Sequence, residues 1–196
     1  MFQLDLLNDP LEQFKLWYDE AGRNKVSNPD AMVLATANLK GKPSARTVLY
    51  KNITKGGFLI FTNYHSRKAL ELTENPHAAW IFYWPNIYKQ VRGEGHVERL
   101  TREESETYFA TRPYESQISA WVSEQSQEIP SREYLISRYK TYLEKFENEV
   151  CCPEYWGGFR LIPNQIEFWI GKDHRLHDRF CYVKENHQWR IIRLAP

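Results

Sequence analysis

The 196-residue chain is poor in sulfur, with two methionines and only three cysteines, Cys151, Cys152 and Cys181. An odd number of thiols, two of them sequence neighbours, says little about chemistry and fits a reducing cytoplasm. Charge of one sign is not in excess either: 26 Lys+Arg against 25 Asp+Glu leave a formal net charge of +1. A general polycation is thereby excluded, and a nucleic-acid or membrane-surface role would need a local basic patch. No run approaches the ~18 consecutive apolar residues of a spanning helix, and MFQLDLLNDPLEQF lacks the basic and apolar regions of an export signal. The expectation is a cytoplasmic protein without a membrane or nucleic-acid partner. Walker, GxGxxG and GxSxG motifs are missing too, which removes support from nucleotide triphosphatase, Rossmann dehydrogenase and serine hydrolase readings. No repeat, low-complexity tract or long linker divides the chain, so residues 1–196 read as one domain.

What the chain has in abundance is aromatic residues, 15% of the total. That share excludes disorder over most of the chain and points to a core or cleft built from flat rings. Asp9-Pro10 with Glu12 opens a first helix, with Leu11, Phe14, Trp17 and Tyr18 at helical spacing. AMVLATAN, SARTVLYKNI, GFLIFTN, AAWIFYW and YKQVRGEGHVERL then read as successive antiparallel strands separated by turn residues. Gly93 and Gly95 inside the last of these mark a bulge or a close approach, hence a curled or closed sheet. A capping box at Thr101 and Glu104 starts a helix that ends near Arg112-Pro113, and another follows Pro130-Ser131, presenting Leu135, Tyr139, Tyr142, Leu143 and Phe146. WGGFRLI, QIEFWIG, RFCYVKE and QWRIIRL return to strands, with a turn at Asn186-His187. The class is α+β, mainly β, around a barrel or strongly curled sheet with flanking helices.

Three segments offer chemistry. In FTNYHSRKALEL, Ser66-Arg67-Lys68 stand at a helix start where free N–H groups and two cations could bind a phosphate, or simply be solvated. Arg46 and Lys51 flank an apolar strand where cations need partners, on opposite faces by strict alternation. In HRLHDR, an extended chain would project Arg175, His177 and Arg179 to one side, towards an anion or along a solvated edge strand. His174 and His177 as metal ligands lack a completing Cys or carboxylate cluster, so no metal is expected. Tyr108 and Arg112 lie one helical turn apart with Ser116 just beyond Pro113, a second candidate phosphate site or a dipole-compatible helix end.

Taken together and in order, DPLEQF, AMVLAT, RTVLYK, FTNYHSRKA, KQVRGEG, YFATRP, SQISAWVSEQS, WGGFRLIP, QIEFW, HRLHDR and the terminal RLAP closely resemble the pyridoxine (pyridoxamine) 5′-phosphate oxidase family. The resemblance runs from about residue 9 to 196. It implies a homodimeric split β-barrel with FMN at the subunit interface, and C-terminal strands from about residue 155 that serve both the active site and the dimer. By position, Arg46, Thr47, Val48, Leu49, Tyr50, Lys51, Phe61, Thr62, Arg67, Lys68 and Gln90 correspond to FMN contacts of one subunit. Gln125, Ser126, Trp169 and Arg179 correspond to contacts supplied by the other. Lys51, Tyr108, Arg112 and Ser116 resemble the clamp on the substrate's 5′-phosphate, and Arg175 and His177 lie where the family holds the pyridine ring and its C4′ substituent.

The implied reaction is hydride transfer from C4′ of pyridoxine or pyridoxamine 5′-phosphate to flavin, giving pyridoxal 5′-phosphate, with O2 reduced to H2O2. Departures from the family pattern are Phe61 where Tyr is common, Asn28 for a frequent Asp and Tyr50 for a common Leu. Longer members also carry an N-terminal segment with an Arg and a Tyr that covers the substrate, and this sequence is expected to lack it. The alternatives are a split-barrel flavin oxidase acting on another flat ring such as a phenazine precursor, a flavin or pyridoxal phosphate carrier without turnover, and a single-stranded nucleic-acid binder.

Overall fold

The computed structural model describes residues 6–147 and 149–196, and its architecture follows from one long central strand that pairs with one neighbour along one side and with two in succession along the other. The chain begins with α1 (Pro10–Arg23), where the Asp9 carboxylate accepts from the Leu11 N–H at 2.7 Å and Pro10 takes the first helical position. Strands β1 (Ala31–Ala37), β2 (Pro43–Leu49), β3 (Asn52–Thr54) and β4 (Gly57–Asn63) follow, then α2 (Arg67–Glu74), β5 (His77–Trp84) and β6 (Lys89–Arg99). Helices α3 (Arg102–Ala110), α4 (Tyr114–Val122) and α5 (Arg132–Lys145) precede β7 (Trp156–Ile170), β8 (Asp178–Glu185) and β9 (Gln188–Arg193). The reciprocal capping box of Thr101 and Glu104 forms as the sequence pattern predicts.

All strand pairs are antiparallel, in the order β2-β1-β5-β6-β7-β4-β3, with β8 on β7 and β9 on β8. The first half of β7 pairs with β4 (Phe61↔Gly158) and the second half with β8 (Phe168↔Phe180), while β6 runs along its whole length. The two halves diverge at a register shift between Glu94 and Gly95, opposite Pro163, so the sheet curls instead of lying flat. WGGFRLI and QIEFWIG are thus one strand, not two. Pro163, which reads as an interruption, falls at the bulge, where a missing ladder donor costs little. SARTVLYKNI, conversely, is divided at Tyr50-Lys51 into β2 and β3.

Gly95 is required there: a Cβ on it would lie 2.0 Å from the Ile162 carbonyl oxygen, which is backbone and cannot step aside. Gly95→Ala should therefore lower the unfolding free energy by about 2–4 kcal/mol, measurable by denaturant titration.

Inside the curl, Phe14 and Trp17 of α1 enter an aromatic core. Phe14 has ring centroids of Phe58, Phe82 and Tyr50 within 5.3 Å, and Trp17 meets Phe168 edge-on at 5.0 Å. A second cluster forms where Phe109, Ile118, Ala120, Val122 and Trp156 pack together under the expected face of α5. Cys151, Cys152 and Cys181 are free. Among the described residues no helix is long and apolar enough to cross a membrane, and no cluster of three or more potential metal ligands occurs.

Candidate active site

Between the two clusters, β2, β4, α2 and the α3–α4 corner enclose a cleft of ≈ 320 Å³. One pole is built around Lys68, from the first turn of α2. Its Nζ donates to Thr62 Oγ1 at 2.9 Å, Gln125 Oε1 at 3.0 Å and Ser66 Oγ at 3.1 Å. Burial, and then repulsion from Arg46, pulls the Lys68 ammonium down to about 8. The Arg67 N–H donates at 3.3 Å to the Oγ of Ser126, a residue held in the left-handed region at φ 72°. The Ser66 side chain makes no cap bond, so first-turn N–H groups of α2 remain available at this pole.

At the other pole, Tyr108 lies flat against Phe61, with ring centroids 3.8 Å apart, and Trp156 continues the stack at 5.5 Å from Phe61. The Arg112 guanidinium sits 4.6 Å above the Trp156 ring, and its buried Nη1 has no hydrogen-bond partner among the described residues. Burial pushes Arg112 down from its ordinary value. A cation held by an aromatic face, with a buried donor left open, is arranged to receive an anion from outside the chain. Lys51 lines the same cleft and pairs with Asp30 at 3.3 Å.

A third group lies on β6, β7 and β8. Gln90 is opposite Trp169, and Trp169 is opposite Arg179. Arg179 donates to both oxygens of the buried Glu167, at 2.8 and 3.0 Å, and to the Ala195 carbonyl at 2.7 Å. The His177 ring is 4.7 Å from that of Trp169, and its Nδ1 accepts from the Lys172 N–H at 3.1 Å, so the neutral imidazole carries its proton on Nε2. His174 and Arg175 both have positive φ, 56° and 62°. Two consecutive left-handed non-glycine residues are a local strain of the kind found at functional sites.

Two comparisons decide the family. Residues 18–145 match the profile described as pyridoxamine 5′-phosphate oxidase, and residues 156–196 match that described as pyridoxine 5′-phosphate oxidase C-terminal dimerisation region. The chain belongs to the pyridoxamine 5′-phosphate oxidase family. A Coxiella burnetii relative named pyridoxine/pyridoxamine 5′-phosphate oxidase is 78% identical over the whole of both chains. One from Cupriavidus taiwanensis with the same name is 49% identical, covering 98% of this chain and 91% of that one. Among solved structures, PhzG from Burkholderia lata, in complex with tetrahydrophenazine-1-carboxylic acid, superposes with a TM-score of 0.94 at 30% identity. That superposition covers 98% of this chain and 95% of PhzG. An FMN-binding protein from Nostoc punctiforme shares the fold, at TM-score 0.77 and 16% identity over 97% of this chain and 100% of that one.

Within this family frame, the geometry sorts the residues differently from their expected grouping. Gln125 and Ser126, expected from a second subunit, bond to Lys68 and to the Arg67 N–H of their own chain, because the loop after α4 turns back over α2. Gln90, expected beside Arg67 and Lys68, stands instead with Trp169 and Arg179 in the β-ladder. HRLHDR is not extended: a tight turn occupies Asp173–Arg175 and β8 begins only at Asp178, so Arg175, His177 and Arg179 do not share a strand face. Nor is Arg112 within the helix of Tyr108. α3 ends at Ala110, and Arg112 holds its place through its N–H to the Phe109 carbonyl. Ser116 falls in the first turn of α4, a helix the sequence pattern did not mark separately because Pro113 caps it without a side-chain bond.

Thr47, Val48, Leu49, Lys51, Phe61, Thr62, Lys68, Tyr108, Arg112 and Gln125 come together on the cleft wall. Among the described residues, that wall includes none of Gln90, Ser116, Trp169, Arg175, His177 and Arg179. Arg46 is off that wall but beside the Lys68 pole, donating to the Thr36 hydroxyl and the Leu34 carbonyl of β1, and Tyr50 is buried in the core with its hydroxyl pushed up to about 12 by burial. Trp156, Asn63, Ser119 and Ser123 line the cleft without having been marked in the sequence. Each reads as an ordinary packing or helix residue, and only the fold brings them together.

Proposed function

We propose that the protein is an FMN-dependent pyridoxine/pyridoxamine 5′-phosphate oxidase that produces pyridoxal 5′-phosphate and H2O2 from O2. It acts as a cytoplasmic homodimer in which each cleft is completed by the partner's β7–β8 group. The observation that carries this reading is a single cleft with two cationic poles and an aromatic wall between them. Such a cleft suits two phosphorylated flat molecules, one lying on the other. FMN, when bound, supplies the electron chemistry, as a two-electron acceptor for the substrate's C4′ carbon that oxygen regenerates.

The chain's own contribution is placement. Lys68, Arg67, Arg46, Ser126 and the α2 N-terminus hold the flavin phosphate, with Thr62 and Gln125 beside it, while Thr47, Val48, Leu49 and Phe61 line the cleft further along and Tyr50 supports that wall from the core. Lys51, Tyr108, Arg112 and Ser116 hold the substrate phosphate, so binding energy remote from C4′ is spent on orientation. Arg175 and His177 of a second copy, together with its Gln90, Trp169 and Arg179, close over the rings. His177 presents Nε2–H, a donor suited to an oxygen or nitrogen on the pyridine.

The test is an absorbance spectrum of the purified protein, followed by anaerobic addition of pyridoxine 5′-phosphate. Oxidised-flavin bands should bleach on addition and return with air. Bands that persist would keep the cofactor and remove the substrate. The similarity to PhzG favours a second reading, oxidation of a reduced phenazine, and bleaching by such a compound but not by the vitamer would select it.

The Lys68 ammonium gives a further expectation. A phosphate monoester is already a dianion above about pH 7, so only Lys68 titrates between pH 7 and 9 at this pole. Because its charge is lost above about 8 and must be regained on binding, the FMN Kd should rise about tenfold from pH 7 to 9. Riboflavin, without the phosphate, should show a flat profile. A flat profile for FMN as well would remove Lys68 from the phosphate.

A further inference from the structure

Arg46 and Arg67 approach the phosphate pole from different elements, β2 and the first turn of α2, and both end on one carboxylate. Glu71 of α2 is 6% exposed and accepts from Thr36 Oγ1 at 2.5 Å, Ser44 Oγ at 2.6 Å and Arg67 Nε at 2.9 Å, with Arg46 Nη2 at 3.5 Å. Arg46 in turn donates to Thr36 Oγ1 and Ser44 Oγ, closing a network that ties β1, β2 and α2 together. Burial opposes ionisation of Glu71, but the hydrogen bonds from Ser44, Thr36 and Arg67 outweigh it and bring the carboxyl down to about 2. The group is therefore a carboxylate at every working pH.

Without such a group the pole would be hard to assemble. Arg67 disfavours the charge on Arg46, and Arg46 disfavours that on Lys68. Three cations less one carboxylate leave two positive charges, which matches the dianion of a phosphate monoester.

We propose that Glu71 is the positioning residue of the flavin phosphate site, holding Arg46 and Arg67 in place before the ligand arrives. The inference rests on the reading of this pole as the FMN phosphate site. Charge and position predict opposite results, which makes the idea testable. Removing a negative charge beside a phosphate should tighten binding if charge alone mattered, whereas losing the anchor of two guanidinium groups should weaken it.

The experiment titrates apoprotein with FMN and with riboflavin, following flavin fluorescence, for the wild type and Glu71→Gln. FMN should bind about 30-fold more weakly to the variant, while riboflavin changes by less than about twofold. Unchanged or tighter FMN binding overturns the proposal, as does an equal loss for both flavins, which would mark a merely structural role. If Glu71→Gln does not fold, Ser44→Ala takes its place, since it removes one donor to Glu71 and one acceptor from Arg46. It should give a loss of about threefold, again for FMN alone, and no phosphate-selective loss overturns the proposal. A wild type that binds FMN no better than riboflavin would instead remove the cofactor reading, and Glu71's role with it.

Discussion

Replacing Arg112 with Met is expected to raise KM for pyridoxine 5′-phosphate about 100-fold, while KM for unphosphorylated pyridoxine stays within about twofold. It should also leave the ligand-free protein at least as stable as the wild type. Both effects have one cause. The Arg112 guanidinium is held by the faces of Trp156 and Phe109, at 4.6 and 5.5 Å, and its buried Nη1 donates to nothing among the described residues. In the free protein that is a partly desolvated charge with a cation–π return of about 0.5–2 kcal/mol, set against the cost of removing part of its guanidinium from water. Methionine fills much of the same volume and contacts the ring through sulfur without that cost. Once a phosphate is present the balance reverses, because the open donor gains a charge-assisted hydrogen bond that nothing else supplies. Steady-state kinetics on both vitamers and a denaturant titration check the two halves. A matched rise in both KM values would refute the phosphate assignment, and a clear loss of stability would show that Arg112 is instead part of the structural core.

Much of the fold was legible from local chemistry. Asp9-Pro10, the Thr101–Glu104 box and the alternation in AMVLATA each act within a few residues, so their outcome is written where they stand. Ser66-Arg67-Lys68 likewise announces a cationic helix start, and α2 begins at Arg67. The failures are long-range. Pro163 reads as a strand end because its tolerance depends on a bulge in β7 at Asn164, facing Glu94 and Gly95 of β6. The bond from Lys68 to Gln125 within one chain is likewise invisible locally, since it depends on the loop after α4 folding over α2. Glu71 looks like a surface acid on a short helix, and its importance comes from Thr36 and Ser44 on two strands that precede it. The stack of Phe61, Tyr108 and Trp156 joins β4, α3 and β7, three elements whose juxtaposition no periodicity encodes.

That separation of residues into groups also sets the largest expected effect, complementation between two inactive variants. Lys68→Met removes one of the three cations of the proposed flavin phosphate pole, the one at the centre of its hydrogen bonds, and His177→Ala removes the imidazole beside Trp169. As homodimers, each should be nearly inactive, the first through lost FMN and the second, with FMN retained, through lost turnover. Within one chain, the cleft that holds Lys68 does not include His177. If the partner copy supplies His177, a dimer of one variant chain with the other has one site carrying both defects and one carrying neither. Co-expressed with different affinity tags and purified through both, the mixed dimer should recover about half of the wild-type activity per dimer. An unshared site would leave one defect in each, and the mixed dimer would be as inactive as its parents. The result also discriminates within the second group: Gln90→Ala should complement Lys68→Met but not His177→Ala, because Gln90 lies in register with Trp169 rather than with the phosphate pole. Complementation with His177→Ala instead would return Gln90 to the flavin site of its own chain.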